Sequence, residues 1–541
     1  MSTTHEGTNQ APPRTDLDEY GTHAALVEAV ARYGARGATE RLRRIGALVG
    51  EAGFQRDAEL ANTHPPVLAT HDRWGGRLDE VRFHPAYHRI LGEALREGAH
   101  ASCWTDPGPG AHAARAAAFL LLAQVEPGHA CPVSMTHAVV PALRATPAIA
   151  DDWLPKVTAH AYDPALRDPA TKTSATFGMA MTEKQGGSDV RSNTTRAVPE
   201  AGGGYRLSGH KWFCSAPQSD AFLVLARAPG GLSCFVVPRV LPGGDMNGIR
   251  IERLKDKLGN RSNASGEIAL EDCAGRLLGE EGHGVRTILA MVEQTRLDCV
   301  LGSAAGMRQA VAEAAWHVRH RSAFGGLLMD QPAMTAVIAD LQLEAEAAVW
   351  TGMRLAAAYD TDDPEAVAFR RLATAVGKYR VCKRGPGHAA EAMECLGGNG
   401  YTEAFPLARR YREQPVMAIW EGSGSVIALD VLRTLAREPA AFEAFDRELQ
   451  MARGTDPAYD RHLGRTRELV EAARRDPDAA PRIARRLVEA LAVALQASIL
   501  LREAPAAVAD AFVAARLGED RGSEYGALPA GIDVAAVAAR A

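Results

Sequence analysis

Tyr205–Ser208 (YRLS), Ala221–Leu225 (AFLVL), Ser233–Val237 (SCFVV), Ile249–Ile251 (IRI) and Glu267–Leu270 (EIAL) are short apolar runs cut by turns such as Gly202-Gly203-Gly204 and Pro242-Gly243-Gly244. Several brief strands at this spacing predict an antiparallel sandwich or barrel of about 100 residues. On either side the apolar period changes from two to about 3.6. Upstream, His23 to about Ala61 is helical, with Leu42, Ile45 and Val49 three and four apart, and helical segments return around Ala86–His100, Ala111–Val125 and Pro132–Arg144. Asn62 to Arg82 reads as loop, and residues 1–20 as a polar, mobile arm. Downstream, Gln331–Tyr359 and Pro364–Arg384 are long enough for an antiparallel bundle. The order is α, β, α and a further Ala-rich helical stretch broken at Pro457, Pro477, Pro481 and Pro505. An α+β class follows, with expected domains at 1–175, 176–284, 285–437 and 438–541.

The chain's 541 residues suit three or four such units. With 46% hydrophobic and 23% charged residues it is an ordinary globular chain. A net charge of −5 makes no whole-chain case for nucleic acid or anionic membrane. Eight irregularly spaced cysteines without a CxxC pair argue against a disulfide framework and for a reducing, cytoplasmic compartment. Leu487–Leu501, interrupted by Glu489 and Gln496, is too short to span a bilayer, so no membrane role is expected.

Generic signatures fail. In GYRLSGHK (204–211) His210 intrudes on a P-loop, residues 279–284 lack dinucleotide-fold spacing, and WEGSGS (420–425) is not GxSxG. No HExxH occurs and the 17 His lack ligand spacing, so no metal is expected.

Longer strings remain, in order: MTEKQGGSDV (181–190), GHKWFCS (209–215), RSAFG (321–325), LGGNGY (396–401) and IWEGSGS (419–425). Together they resemble the flavin-binding and catalytic signatures of the acyl-CoA dehydrogenase family, whose fold is the α–β–α order read above. DEVRFHP (79–85), RSNTTRA (191–197), LKDKLGNRSNAS (254–265) and VCKRG (381–385) are similar to its AidB-type, alkylation-response branch.

The resemblance implies FAD as cofactor and a set of residues around it. Met181, Thr182, Gly187 and Ser188 would border the isoalloxazine, with glycine allowing close backbone approach. Trp212 and Phe213 would cover the flavin and Ser215 would bond its edge. Arg321 and Phe324 would reach the pyrophosphate and adenine of a neighbouring subunit's FAD, since a guanidinium forks onto phosphate. Gly397 and Gly398 would lie along the same cofactor, beside Glu394, which stands where most of the family has Gln. Trp420, Gly422, Ser423, Gly424 and Ser425 surround Glu421, the base implied for an acyl-CoA thioester. Some relatives carry the base on a helix at the position of Thr295, which cannot serve, and Arg296 beside it would orient the site. A homotetramer follows, because the FAD site borrows from a neighbour.

Residues 437–541 hold 15 Arg, no Lys and 17 acids, yet 461–486 nets +4 and 503–533 nets −4. On their own the arginines read as a solvated face. The resemblance adds a function: non-specific binding of double-stranded DNA, through residues such as Arg474, Arg475, Arg482, Arg485 and Arg486. Two readings stay open. One is an alkylation-response flavoprotein, its small-molecule partner an acyl-CoA thioester (isovaleryl-CoA-like, turned over weakly) or an alkylating agent. The other is a metabolic short- or branched-chain dehydrogenase without a DNA role.

Overall fold

In a computed structural model, which describes residues 8–541, the strands expected between 205 and 270 all form, and they join a larger sheet. After a two-stranded hairpin, β1 (Val67–His71) and β2 (Arg77–Arg82), come β3 (Phe177–Ala180), β4 (Arg196–Pro199), β5 (Tyr205–Ser215), β6 (Ala221–Ala228), β7 (Gly231–Pro238), β8 (Ile249–Leu254) and β9 (Ser265–Leu278). The sheet order is β3-β5-β4-β6-β7-β9-β8, and β5 also pairs with β9. That extra pairing curls the sheet back on itself, as a barrel does. Phe222, Val224, Phe235, Val237, Ile251 and Ile268 fill its interior. The sheet is not wholly antiparallel: β3 runs parallel to β6, with Phe177 opposite Ala221 and Ala180 opposite Val224. The antiparallel β4–β5 pair intervenes in sequence and supplies the crossover a parallel pairing needs.

The expected loop at 62–82 is instead the β1–β2 hairpin. Its turn is built by Asp72, whose carboxylate accepts from the N–H groups of Trp74 and Gly76, both at 2.8 Å. Leu68 and Val81 pack on the barrel core. Asp79 fastens the hairpin: its side chain accepts from Ile251 N at 2.9 Å and its carbonyl from Arg239 at 2.8 Å.

The barrel, the hairpin and the helices Pro85–Arg96, Pro127–Leu143 and Pro147–Val157 belong to one compact unit, Gly53–Gly108 with Val125–Asp298. The second unit comprises Cys299–Ala541, Pro109–Gln124 and the described part of Met1–Ala52. Its long helices Pro332–Ala357 and Pro364–Glu394 are those read from the sequence, the latter started by Pro364 and an Asp363 cap on the N–H groups of Glu365 and Ala366.

In the C-terminal stretch the helices are interrupted at the expected prolines: Pro477 lies in the turn between Pro457–Arg475 and Ala480–Glu503, while Pro457, Pro481 and Pro505 stand at helix starts. Leu487, Leu491 and Leu495 of the latter are buried, each stabilising by about 1.5–3 kcal/mol. The stretch is also fastened by charge. Arg516 bonds Asp340 (2.6 Å) and Glu344 (3.0 Å), and Arg540 bonds Glu346 (2.7 Å) and Glu28 (2.8 Å). Burial would raise the Glu344 carboxyl, but the guanidiniums of Arg380, Arg384 and Arg516 hold it well below the usual carboxylate range.

The expected mobile arm is corrected for its described part; residues 1–7 lie outside the described residues. Arg14 and Glu19 form a buried ion pair, Tyr20 is buried, and the carbonyl of Pro12 accepts from Trp316 Nε1 at 2.7 Å. A polar segment reads as an arm, but here Arg14 and Glu19 pair and the carboxylates of Asp16 and Asp18 accept from the backbone N–H groups of Ala52 and Tyr20.

Candidate active site

The MTEKQGG segment is held from beneath. Glu183 is buried and accepts from Lys211 Nζ (2.8 Å), the Thr195 hydroxyl (2.6 Å) and the backbone N–H groups of Thr194 (2.7 Å) and Thr195 (3.1 Å). Burial alone would raise its carboxyl, but these donors, led by Lys211, hold it well below the ordinary range. The segment is also tied to β5, where Trp212 N donates to Thr182 O at 2.8 Å, and Asn193 donates to Met181 O at 2.8 Å. A Cβ on Gly187 would press on Thr182 Cγ2 at 3.0 Å, so only glycine leaves that threonine undisturbed.

Above this support the surface is open and polar. Ser188 and Phe213 are exposed, Thr182 and Ser215 half-buried. The hydroxyls of Thr182, Ser188 and Ser215 find no partner among the described residues. Lys255 Nζ occupies one face of the Trp212 indole, 3.2 Å from its centroid.

In the second unit, the IWEGSGS segment links the helix Pro406–Met417 to Gly424–Arg437. Glu421 adopts a left-handed backbone (φ 56°), followed by Gly422 at φ 105°. The flanking carbonyls are clamped by one buried ammonium: Lys378 Nζ donates to Trp420 O at 2.8 Å and to Gly422 O at 2.6 Å. Trp420 packs with Cys299, Cys382 and Met417. Its Nε1, though buried, has no hydrogen-bond partner among the described residues. Gly424 is buried against Lys383 and Tyr379, where a Cβ would displace the end of the Lys383 side chain, whereas Ser425 is exposed.

RSAFG forms a small hairpin, β10 (Ser322–Ala323) with β11 (Gly326–Leu327). Its two turn residues, Phe324 (φ 53°) and Gly325 (φ 85°), both take the positive φ of a type I′ turn. Phe324 is 94% exposed at the tip. Asn9 braces the base: it exchanges bonds of 2.8 Å with the backbone of Ser322 and accepts from the Arg321 guanidinium. In LGGNGY, Cβ atoms on Gly397 and Gly398 would meet nothing in the chain, while one on Gly400 would strike the Met393 carbonyl. Glu394 is exposed and makes no ion pair among the described residues.

Eight described non-glycine residues have positive φ. Five are Asn or Asp, which tolerate it. The other three, Ala216, Phe324 and Glu421, each lie in or beside one of the quoted strings. Such strain costs about 1–2 kcal/mol per residue and gathers where function requires it.

Arg296 is half-buried on the helix Gly284–His320, and the Thr295 hydroxyl before it is spent on Val292 O at 3.1 Å. The five C-terminal arginines are not one surface of free charge. Arg474 lies over the Phe442 ring and bonds Glu471 at 3.1 Å, Arg475 bonds the Glu471 carbonyl, and Arg485 bonds the Tyr379 hydroxyl at 3.2 Å. Only Arg482 and Arg486 have no partner among the described residues. Lys378, Lys255, Asn9 and the Glu183–Lys211 pair escaped the sequence reading. Of these Lys378 carried a usable signal, a cation set in the run Ala375-Val376-Gly377 of a long helix.

Comparison with known proteins sets these features in a family. Residues 9–164 match the N-terminal domain of the adaptive response protein AidB, 178–273 the acyl-CoA dehydrogenase middle domain and 282–436 its C-terminal domain. The chain is 47% identical to the Escherichia coli protein AidB, an acyl-CoA dehydrogenase by name, over 86% of each chain. It is 31% identical to acyl-CoA dehydrogenase family member 11 of Caenorhabditis elegans, over 77% of this chain and 70% of that one. Among solved structures, Bd2924 in its apo-form aligns with a TM-score of 0.84 at 25% identity, over 92% of this chain and 99% of that one.

The chain belongs to the acyl-CoA dehydrogenase family and is an FAD-dependent oxidoreductase. Within the family it carries the AidB-type N-terminal domain. The residues of each unit fit the cofactor by themselves: in the first, three unpartnered hydroxyls and a glycine whose added Cβ would press on Thr182 are the donors and the close approach a flavin asks for; in the second, the Trp420 indole N–H is a buried donor without an acceptor among the described residues. No helix of the described residues is long and apolar enough to cross a membrane.

Proposed function

We propose that this is an alkylation-response flavoprotein, a cytoplasmic homotetramer that protects DNA from alkylating agents, binds duplex DNA without sequence preference, and dehydrogenates isovaleryl-CoA-like thioesters weakly. The observation that carries the chemistry is the clamped, strained Glu421. Its carboxylate removes the α-proton of the thioester, and backbone N–H groups, that of Glu421 included, steady the enolate charge. FAD, when bound, supplies the acceptor for the β-hydrogen as hydride. Met181, Thr182, Gly187, Ser188 and Ser215 hold the flavin edge, with Trp212 and Phe213 along it. Trp420, Gly422, Ser423, Gly424 and Ser425 serve the same cofactor, and Arg296 orients the substrate.

Arg321, Phe324, Gly397 and Gly398 serve a neighbouring subunit's cofactor. The support is that Phe324 carries strain and full exposure with no reward from its own chain.

The DNA role is supported by the AidB-type N-terminal domain and by the exposed basic stretch at 461–486. Deleting 438–541 would take Arg540 from the buried Glu346 and Arg516 from the Asp340–Glu344 cluster, so point variants are the cleaner probe. In filter binding with mixed-sequence duplex, Arg474→Gln, Arg475→Gln and Arg482→Gln together should weaken retention and flatten its salt dependence by about one phosphate contact each. Retention unchanged in affinity and salt slope contradicts the assignment. The strain kept at Glu421 favours a second reading, a metabolic short- or branched-chain dehydrogenase without a DNA role. Turnover comparable to metabolic dehydrogenases, combined with no DNA retention, would select it.

A further inference from the structure

In the C-terminal stretch, the helices Pro457–Arg475, Ala480–Glu503 and Ala506–Leu517, with Gly518–Arg521 beyond the last, border an open cavity of about 590 Å3. This lies within the size range of small-ligand sites, about 300–1,000 Å3. Its lining mixes charged and apolar side chains: Arg461, Arg465, Arg486 and Arg521 with Leu469 and Val493. Arg461, Arg465 and Arg486 make no hydrogen bond or ion pair among the described residues. Two acids also line the cavity. Glu489 is engaged by Arg380 at 3.4 Å, and Glu519 has no partner among the described residues. A fifth lining arginine, Arg516, is already spent on Asp340 and Glu344.

The charge imbalance seen along the sequence therefore survives folding. No ion pair joins the arginines of 461–486 to the acids of 503–533 among the described residues. His462 ties the walls together through Nε2 and the Ala490 carbonyl at 2.9 Å. Burial, with the guanidiniums of Arg521 and Arg465 nearby, keeps its imidazole below its ordinary pKa, so it adds shape rather than charge.

We propose that this cavity is a binding site for a small phosphorylated metabolite of nucleotide size, its phosphates held by Arg461, Arg465 and Arg486 and its body against Leu469 and Val493. Guanidinium forks match phosphate oxygens two at a time, and three without carboxylate partners around one concavity leave positive charge for an anion to answer. A duplex presents its phosphates on a convex surface, whereas these arginines line a concave one with apolar walls.

The test uses the full-length holoenzyme, so that FAD fills its own site, with inorganic pyrophosphate as probe and titration calorimetry as readout. Wild type should bind pyrophosphate. Arg461→Gln and Arg465→Gln should each weaken binding about tenfold, with an unchanged flavin spectrum. Glu519→Gln, which removes a lining carboxylate, should tighten it about two- to fivefold and guards against loss through misfolding. A short DNA duplex should not displace the pyrophosphate. Absence of binding, equal binding by the arginine variants, or displacement by duplex overturns the proposal.

Discussion

Replacing Lys378 with Met removes one side chain and two bonds, to Trp420 O at 2.8 Å and Gly422 O at 2.6 Å. Each is a charge-assisted hydrogen bond worth about 1.5–3 kcal/mol, so the clamp stabilises by roughly 3–6 kcal/mol. Against it stands the left-handed backbone of Glu421, which costs about 1–2 kcal/mol. The clamp exceeds the strain by at least about 1 kcal/mol, enough to hold Glu421 where it is. Without the clamp the strain is unopposed and the segment relaxes. A shift of about 1 Å in a reacting group costs on the order of a hundredfold in rate.

K378M should therefore lower the melting temperature by roughly 1 °C for each kcal/mol lost from a chain of this size. It should also slow anaerobic flavin reduction by isovaleryl-CoA about a hundredfold, read by stopped-flow absorbance. A variant that melts and reduces its flavin as wild type does would refute the argument that Lys378 positions Glu421.

Three further outcomes follow from the same geometry. E421G should be more stable than E421A by about 1 kcal/mol in urea unfolding, because glycine accepts φ 56° without strain and alanine does not. F324A should lose FAD more readily on dilution and shift sedimentation toward smaller species, while the isolated chain is not destabilised, since Phe324 touches little of its own subunit. Glu183 has a depressed folded pKa, so its stabilisation is fully present above the ordinary carboxylate value of about 4.3 and lost as pH falls below it. E183Q leaves Lys211 buried and unpaired and should cost about 3–5 kcal/mol at pH 6, with the gap to wild type narrowing as pH drops toward 3.

Much of the fold was legible because chain breaks and apolar runs coincide. Gly202-Gly203-Gly204 and Pro242-Gly243-Gly244 separate strands whose inward residues, Phe222, Phe235 and Ile268, are strong β formers. The β1–β2 hairpin was not legible, since only Leu68 and Val81 pack on the core and its other apolar residues, Val67, Ala69 and Leu78, stay outside it among charged neighbours. The parallel β3–β6 pairing is a property of topology, which period-two patterning does not encode.

At the site, the strings locate the surface but not what holds it. Lys378 is marked in the sequence only as a cation in an apolar helical run, which does not name its two carbonyl partners, and Glu421 and Phe324 are not the glycines that signal a left-handed backbone. The C-terminal arginines show the same limit. Composition isolates a basic half, but whether Arg474 lies on Phe442 and Arg486 lines a cavity depends on which helix faces meet.

The central claim is that Glu421 is the base that opens dehydrogenation of an acyl-CoA thioester. Its most direct test is anaerobic mixing of the purified holoprotein with isovaleryl-CoA and shorter and longer thioesters, followed at the visible flavin maximum. Wild type is expected to bleach, slowly with a poor substrate, and E421Q is expected not to bleach while keeping its flavin bound. Bleaching by E421Q at the wild-type rate, or no bleaching of wild type with any thioester, would contradict the claim.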